Sequence, residues 1–258
     1  MTEAVQTAQS VQTGDGTAAQ PVGGDLVKRH RLSTRLWHWT NVVAVSILFM
    51  SGLGISNAHP HLYWGQYGAN FDKAWLDLPR FPGWITVPSY YSLAMSRRWH
   101  LAMALVFAFA LLAYMLWSLF NRHIRRDLAF TRGDLSPRHI LADIWAHMRL
   151  RFPTGPAALR YSVLQKASYI GVIFILLPLL IGTGLTLSPG INAGAPWMLD
   201  LFGGRATARS LHFLAAWALV AFFFVHIAMV ILAGPFNEVR SMITGRYRLP
   251  KERKAKPA

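Results

Sequence analysis

The sequence contains no cysteine. Disulfide bonds, cysteine-held iron–sulfur clusters and c-type haem attached through Cys-x-x-Cys-His are therefore excluded. Acidic residues are also scarce, with 11 Asp and Glu against 26 Lys and Arg, so the formal net charge is +15. The remaining composition is strongly apolar, and 53% hydrophobic residues is more than an ordinary soluble domain carries.

Charged residues are missing from four long stretches of the chain. Each stretch is about 20 residues or longer, which is the length needed to cross ~30 Å of hydrocarbon. These stretches predict transmembrane helices at 36–55, 99–119, 168–187 and 211–233. We therefore expect an all-α integral membrane protein built as a four-helix bundle. Pro178, in the middle of the third stretch, predicts a kink there.

The basic residues are unevenly distributed. They crowd the approach to the first helix, the connection between the second and third helices, and the C-terminus. By the positive-inside rule, both termini and that connection are expected in the cytoplasm. The charge is thus interpreted as topology and attraction to anionic lipid rather than as a nucleic-acid-binding face.

The ends of the chain differ from its centre. The first 25 residues are polar and have no apolar core, so we expect no cleavable signal peptide. We predict a disordered tail at 1–27, the membrane domain at 28–250 and a basic tail at 251–258. Within the cytoplasmic connection, "SPRHILADIWAHMRLRF" predicts an amphipathic surface helix that starts at Ser136 and ends before Pro153.

The first external connection, residues 56–98, is dense in Trp, Tyr and Phe. Such residues form belts at the membrane–water interface. They also suit a docking surface for an external partner. The sequence alone leaves both interpretations open.

Four histidines lie inside the apolar stretches: His38, His100, His212 and His226. The last two are fourteen residues apart on one helix, so they point within about 40° of each other and lie roughly 21 Å apart. The predicted topology places His38 level with His226 towards the cytoplasm, a set we name the inner pair. It places His100 level with His212 towards the outside, and we name these two the outer pair.

Each pair suits one haem b. Zinc and copper usually take further ligands, whereas two imidazoles complete a six-coordinate haem whose flat ring fits between helices. Three of the four histidines also have an arginine three positions earlier, on the same helix face, where it can pair with a haem propionate. These arginines are Arg35, Arg97 and Arg209. A lone intramembrane histidine is often a packing or proton-relay residue, but this paired pattern favours haem.

The fourteen-residue spacing singles out two further positions. Gly52 follows His38 by fourteen, so we expect it beside the outer haem, where it leaves room for the ring edge. Tyr114 follows His100 by fourteen, at the depth of the inner haem. It is either a contact for a propionate or a quinone, or a residue that fills the bundle.

The other histidines are not expected to form sites. His59 and His61, in "AHPH", suggest a surface metal site, but we do not predict one. The rest lie in basic cytoplasmic or boundary segments: His30, His123, His139 and His147.

Three stretches resemble the bacterial di-haem cytochrome b family, also described as cytochrome b-561: "RLSTRLWHW", "SRRWH" and "GGRATARSLHFLAAWALVAFFFVHIAMV". That family includes the cytochrome b subunits of Ni,Fe-hydrogenases, the gamma subunit of formate dehydrogenase and thiosulfate-reductase-type cytochromes b. "TGLTLSP" and "NEVRSMITGRYRLP" most resemble the last branch. The resemblance spans about 27–250. Some members have a fifth helix, whereas only four apolar stretches occur here.

The resemblance implies two haems b with the inner and outer pairs as axial ligands. It further implies a bacterial inner-membrane anchor that exchanges electrons between quinone and a periplasmic catalytic subunit, often a molybdopterin oxidoreductase. Tyr114, Lys166 and Tyr169 are the expected neighbours of a quinone. Two alternatives stay open at this point: a stand-alone haem enzyme such as a superoxide:quinone oxidoreductase, and a non-redox membrane transporter or scaffold.

Overall fold

The structure is a computed structural model that describes residues 21–68, 72–120, 130, 133–149 and 162–251. Several predictions lie outside these ranges. They concern the first 20 residues of the N-terminal tail, the end of the basic C-terminal tail, much of the basic connection and Pro153.

The described chain is mainly helical. The helices are α1 Leu32–Ser56, α2 Leu93–Phe120, α3 Pro137–Met148, α4 Val163–Leu187, α5 Pro189–Gly194, α6 Trp197–Leu201, α7 Arg205–Ala233 and α8 Pro235–Thr244. The short strands are β1 Leu26–Lys28, β2 His61–Leu62, β3 Leu76–Asp77 and β4 Arg246–Arg248. They form two antiparallel pairs, β1 with β4 and β2 with β3.

Four helices are long and apolar enough to cross a membrane: α1, α2, α4 and α7. This confirms the four predicted spans. Their burial is inverted relative to a soluble protein, since Ser51 and Thr183 are fully buried while Phe109 and Phe224 are each 66% exposed. Large apolar side chains on the outside match a lipid surrounding, and small polar side chains between helices are typical of membrane bundles.

The helices begin earlier than predicted. α1 starts four residues before position 36, and α2 and α7 each start six residues before the predicted positions 99 and 211. The prediction stopped at the first charged residue, but arginine is a good helix former and continues the helix beyond the hydrocarbon. As a result, Arg35, Arg97 and Arg209 all lie on helices, one turn before a histidine.

α4 is distorted near Pro178, where a kink was predicted. A π-helical segment, Gly171–Leu176, ends two residues before this proline, and the kink itself stays a prediction. Proline cannot donate a backbone hydrogen bond to the preceding turn and its ring crowds the carbonyl there, so the helix widens at this point. α3 also agrees with the sequence: Ser136 caps it by accepting from the His139 backbone N–H, and Leu141 and Trp145 are exposed on its apolar side.

The contacts divide the described residues into two compact units. The first comprises described residues of 1–36, 114–170 and 224–258, and the second those of 37–113 and 171–223. In the first unit, β1 pairs with β4, and a buried cluster forms from Val27, Tyr247 and Leu249. The predicted boundary at residue 27 therefore falls inside β1. β1, β4 and α8 were not predicted from the sequence.

Candidate functional site

The outer pair comes together in the second unit. The ring centroids of His100, on α2, and His212, on α7, are 6.1 Å apart, and the ring planes are inclined by 65°. Two metal–nitrogen bonds of about 2 Å on opposite sides of one ion also leave two imidazole centroids about 6 Å apart. The spacing therefore suits two imidazoles that would hold a single iron between them.

The His100 imidazole is held through its Nδ1 atom. Nδ1 lies 3.0 Å from the Leu48 carbonyl oxygen and 3.1 Å from Ser51 Oγ. The single hydroxyl proton of Ser51 is directed to its own helix, since Oγ lies 2.6 Å from the Ile47 carbonyl. Both neighbours of Nδ1 are thus acceptors, so Nδ1 carries the proton. Nε2 is then the unprotonated nitrogen, which is the form that binds a metal.

The His212 imidazole is held in the same way. Its Nδ1 lies 2.9 Å from Thr183 Oγ1, and that hydroxyl donates to the Leu179 carbonyl at 2.6 Å. The Leu180 carbonyl is a further hydrogen-bond partner of His212. Nδ1 again faces an acceptor hydroxyl, so Nε2 again keeps its lone pair.

A glycine lies against each imidazole. A Cβ on Gly52 would stand 3.6 Å from His100 Cε1, and one on Gly184 would stand 3.3 Å from His212 Cε1. The structure thus places Gly52 beside an outer imidazole. Its predicted role of leaving room for the haem edge stays a prediction.

The two halves of the outer site repeat one pattern that the sequence analysis missed. Leu-x-x-Ser-Gly-Leu at 48–53 supports His100, and Leu-x-x-Thr-Gly-Leu at 180–185 supports His212. Arg-x-x-His recurs with them, at 97–100 and at 209–212. The sequence does contain a recognisable sign of this support, because a leucine, a hydroxyl residue and a glycine occur in the same order and spacing on two helices.

Arg97 and Arg209 share a neighbour that the sequence did not predict. Arg97 Nη2 donates to His59 Nε2 at 3.2 Å. The pKa of His59 is lowered, first by burial and then by the charges of Arg209 and Arg97. Arg97, Arg209 and His59 are therefore close together, one helical turn from the outer pair. His61 instead contacts Asp77 at 2.6 Å.

The aromatic segment between α1 and α2 is attached to α7. The Trp64 and Trp75 rings stack at 5.2 Å, and Trp75 Nε1 donates to Ser210 Oγ at 2.9 Å. Ser210 Oγ in turn donates to the Tyr63 carbonyl at 2.6 Å. Since Ser210 precedes His212 by two residues, the stacked tryptophans are anchored next to the outer pair.

The inner pair is divided between the units: His38 lies on α1 in the second unit and His226 on α7 in the first. Its pairing stays a prediction. In the first unit, the Arg35 guanidinium lies beside Gly245, 2.9 Å from where a Cβ would stand.

The predicted quinone neighbours all belong to the first unit. Tyr169 lies within electrostatic range of Tyr114, Arg29 and Glu238. Lys166 Nζ forms an ion pair with Asp134 at 2.8 Å. Tyr114 and Tyr169 are thus brought near each other, and Lys166 is engaged by a carboxylate.

The model of the prokaryotic cytochrome b561 family matches residues 29–245, which is most of the chain. The chain belongs to that family. Membership implies a b-type haem, an electron-transport role and a location in the bacterial inner membrane. The donor set of the outer pair fits such a haem, because two imidazoles 6.1 Å apart, each with an unprotonated Nε2, would hold one iron between them.

The chain is similar in sequence to three named bacterial proteins, among others. "Putative protein-methionine-sulfoxide reductase subunit YedZ1" from Azospira oryzae is 31% identical, over 77% of this chain and 87% of that protein. "Probable Ni/Fe-hydrogenase B-type cytochrome subunit" from Cupriavidus necator is 24% identical, over 97% and 98%. "Putative cytochrome YdhU" from Escherichia coli is 26% identical, over 87% and 76%. The closer resemblance to the thiosulfate-reductase-like branch of the family stays a prediction.

Proposed function

We propose that this protein is a membrane-anchoring di-haem cytochrome b subunit that passes electrons between the quinone pool and a periplasmic catalytic subunit. The observation that carries the proposal is the outer pair, two imidazoles 6.1 Å apart with both Nδ1 atoms engaged by acceptors. A b-type haem bound there supplies reversible one-electron exchange at iron. The chain supplies the two nitrogen ligands, the apolar surroundings and the cations that pair with propionates.

The outer haem is the proposed point of exchange with the partner. The relatives named as subunits of a hydrogenase and of a methionine-sulfoxide reductase support a redox partner of this kind. A molybdopterin-dependent partner follows from the resemblance described above. The docking surface we propose is residues 56–98 with 188–210, because the stacked Trp64 and Trp75 in it are anchored beside His212 through Ser210. Trp84, in the same segment, is 79% exposed.

The inner pair is the proposed ligand set of a second haem, level with the quinone site. Both termini lie on that cytoplasmic side in this proposal. Reducing a quinone consumes two electrons and two protons, so the site needs groups that exchange protons with the cytoplasm. Tyr114 and Tyr169, with Glu238 near them, are residues of suitable chemistry.

Quinol-driven haem reduction tests the proposal. The purified protein is placed in liposomes, a short-chain quinol is added, and the haem bands are followed. We expect reduction in the wild type. His226→Ala should lose it, and the control His139→Ala, an exposed position on α3, should keep it. Haem that dithionite reduces but quinol does not would contradict the quinone role. A colourless protein would leave the non-redox scaffold.

A further inference from the structure

A buried hydroxyl touches each imidazole of the outer pair. Ser51 and Thr183 are both fully buried, and each places its oxygen within 3.1 Å of an imidazole Nδ1. We propose that Ser51 and Thr183 are positioning residues that fix His100 and His212 as Nδ1–H tautomers and lower the potential of the outer haem. The inference rests on the proposed function only in that a haem is held by this pair.

The direction of these hydrogen bonds is fixed by the helices that carry the hydroxyls. Serine and threonine inside a helix commonly donate to a carbonyl of the preceding turn. Ser51 and Thr183 both do so at 2.6 Å, so each oxygen faces the imidazole as an acceptor. Ser46 makes the same backbone contact at 2.7 Å but is exposed and has no imidazole contact among its hydrogen bonds. The contact to Nδ1 therefore distinguishes the two buried hydroxyls from an ordinary helix serine.

The arrangement occurs twice, on different helices. α1 supplies a carbonyl, a hydroxyl and a glycine to His100, and α4 supplies the same three groups to His212. The order along the chain is identical, with the hydroxyl three residues after the leucine and the glycine next. Two separate helices with the same constellation indicate a requirement of the site rather than a packing coincidence.

An acceptor at Nδ1 has an electronic consequence. A metal-bound histidine whose other nitrogen donates a strong hydrogen bond becomes a more basic ligand. A more basic ligand stabilises ferric over ferrous iron. Removing one acceptor should therefore favour the ferrous state of the haem. The reaction concerned is the one-electron reduction of ferric haem, in which no bond is broken.

The test compares Thr183→Val, which keeps the shape and removes the hydroxyl, and Ser51→Ala with the wild type. Optical redox titration gives the midpoint of each haem, and electron paramagnetic resonance of the ferric protein reports the axial field. We expect the ferrous-to-ferric ratio of the outer haem to rise up to about tenfold at fixed potential, equal to about 59 mV for one electron. The inner haem should keep its midpoint.

Three controls decide the interpretation. Thr186→Val removes a buried hydroxyl on the same helix that bonds only the Thr183 carbonyl in the structure, and Ser46→Ala removes the exposed one on α1. Both should leave the midpoint unchanged. Thr183→Ser restores the acceptor and should restore the wild-type values. Loss of the outer haem in Thr183→Val, with retention in Thr183→Ser and Thr186→Val, would equally support the role.

The opposite results separate this inference from the proposed function. Thr183→Val and Ser51→Ala proteins that hold both haems with wild-type midpoints and spectra would overturn the inference alone. An equal shift in Thr186→Val would also overturn it, since packing rather than the hydroxyl would be responsible. A colourless wild-type protein would end the proposed function, and the inference with it.

Discussion

Trp75 donates its indole N–H to Ser210 Oγ at 2.9 Å, and Ser210 donates its own proton to the Tyr63 carbonyl at 2.6 Å. This chain of two hydrogen bonds ties the segment that holds β2 and β3 to α7. It attaches the stacked Trp64 and Trp75 to Ser210, which precedes His212 by two residues on α7. These hydrogen bonds thus connect the proposed partner surface to the helix that carries one proposed ligand of the outer haem.

Breaking that chain should destabilise the protein. Ser210→Ala leaves both the Trp75 N–H and the Tyr63 carbonyl without this partner, which costs about 1–3 kcal/mol. Trp75→Phe removes one donor and should cost about 1 kcal/mol. Thermal unfolding in detergent measures both, with Trp84→Phe, at an exposed position, as the control. Unfolding temperatures of Ser210→Ala and Trp75→Phe equal to that of the control would contradict this role.

His59 should make stability depend on pH. Burial and the charges of Arg209 and Arg97 lower its pKa below the ordinary 6.5. As the pH falls through 6.5, the unfolded chain takes up a proton before the folded one does, so stability is lost until the folded pKa is passed. The unfolding temperature should therefore fall more between pH 7.5 and 5.5 in the wild type than in His59→Gln, which keeps an acceptor for Arg97. Equal slopes in both proteins would refute the effect.

Arg97 should raise the potential of the outer haem. A nearby cation stabilises the added electron, so Arg97→Gln should lower the midpoint. Arg97 is exposed and solvent screens it, which keeps the shift below about 59 mV. The matched control is Arg98→Gln, whose guanidinium instead contacts Met95 Sδ. A redox titration in which both variants shift alike would show that Arg97 has no specific role.

Gly184 should tolerate no larger side chain. A Cβ there would stand 3.3 Å from His212 Cε1, so Gly184→Ala should displace the imidazole and lower the outer haem content. Gly171→Ala, on the same helix, is the control because a Cβ there meets nothing within 4 Å. Haem quantified per polypeptide distinguishes the two. Full haem content in Gly184→Ala, with an unchanged spectrum, would rule out a tight fit against His212.

The sequence predicted the spans because long stretches without charge reveal a membrane helix. It predicted the outer pair because the direction of each span places His100 and His212 at the same depth. The pairing of β1 with β4 was not predictable in this way. It joins Val27 to Tyr247 through strands of three residues, which carry too little pattern to be recognised across the whole chain.

The hydroxyls and His59 were missed for a different reason. In most proteins a helical serine such as Ser51 donates its hydroxyl proton to a carbonyl of its own helix. Only the rotation of α1 about its axis brings this hydroxyl to His100 as well. His59 lies in a connection whose path no periodicity describes, so its approach to Arg97 appears only in three dimensions. Both cases depend on tertiary packing rather than on spacing along the chain.

The central claim is that two pairs of histidines each hold one haem b. The most direct measurement is a dithionite-reduced minus oxidised visible spectrum, with haem quantified per polypeptide, for the wild type, His212→Ala, His226→Ala and the control His139→Ala. We predict two low-spin haems b in the wild type and the control, with the outer one lost in His212→Ala and the inner one lost in His226→Ala. One haem per wild-type chain, or the same haem lost in both histidine variants, would contradict the paired arrangement.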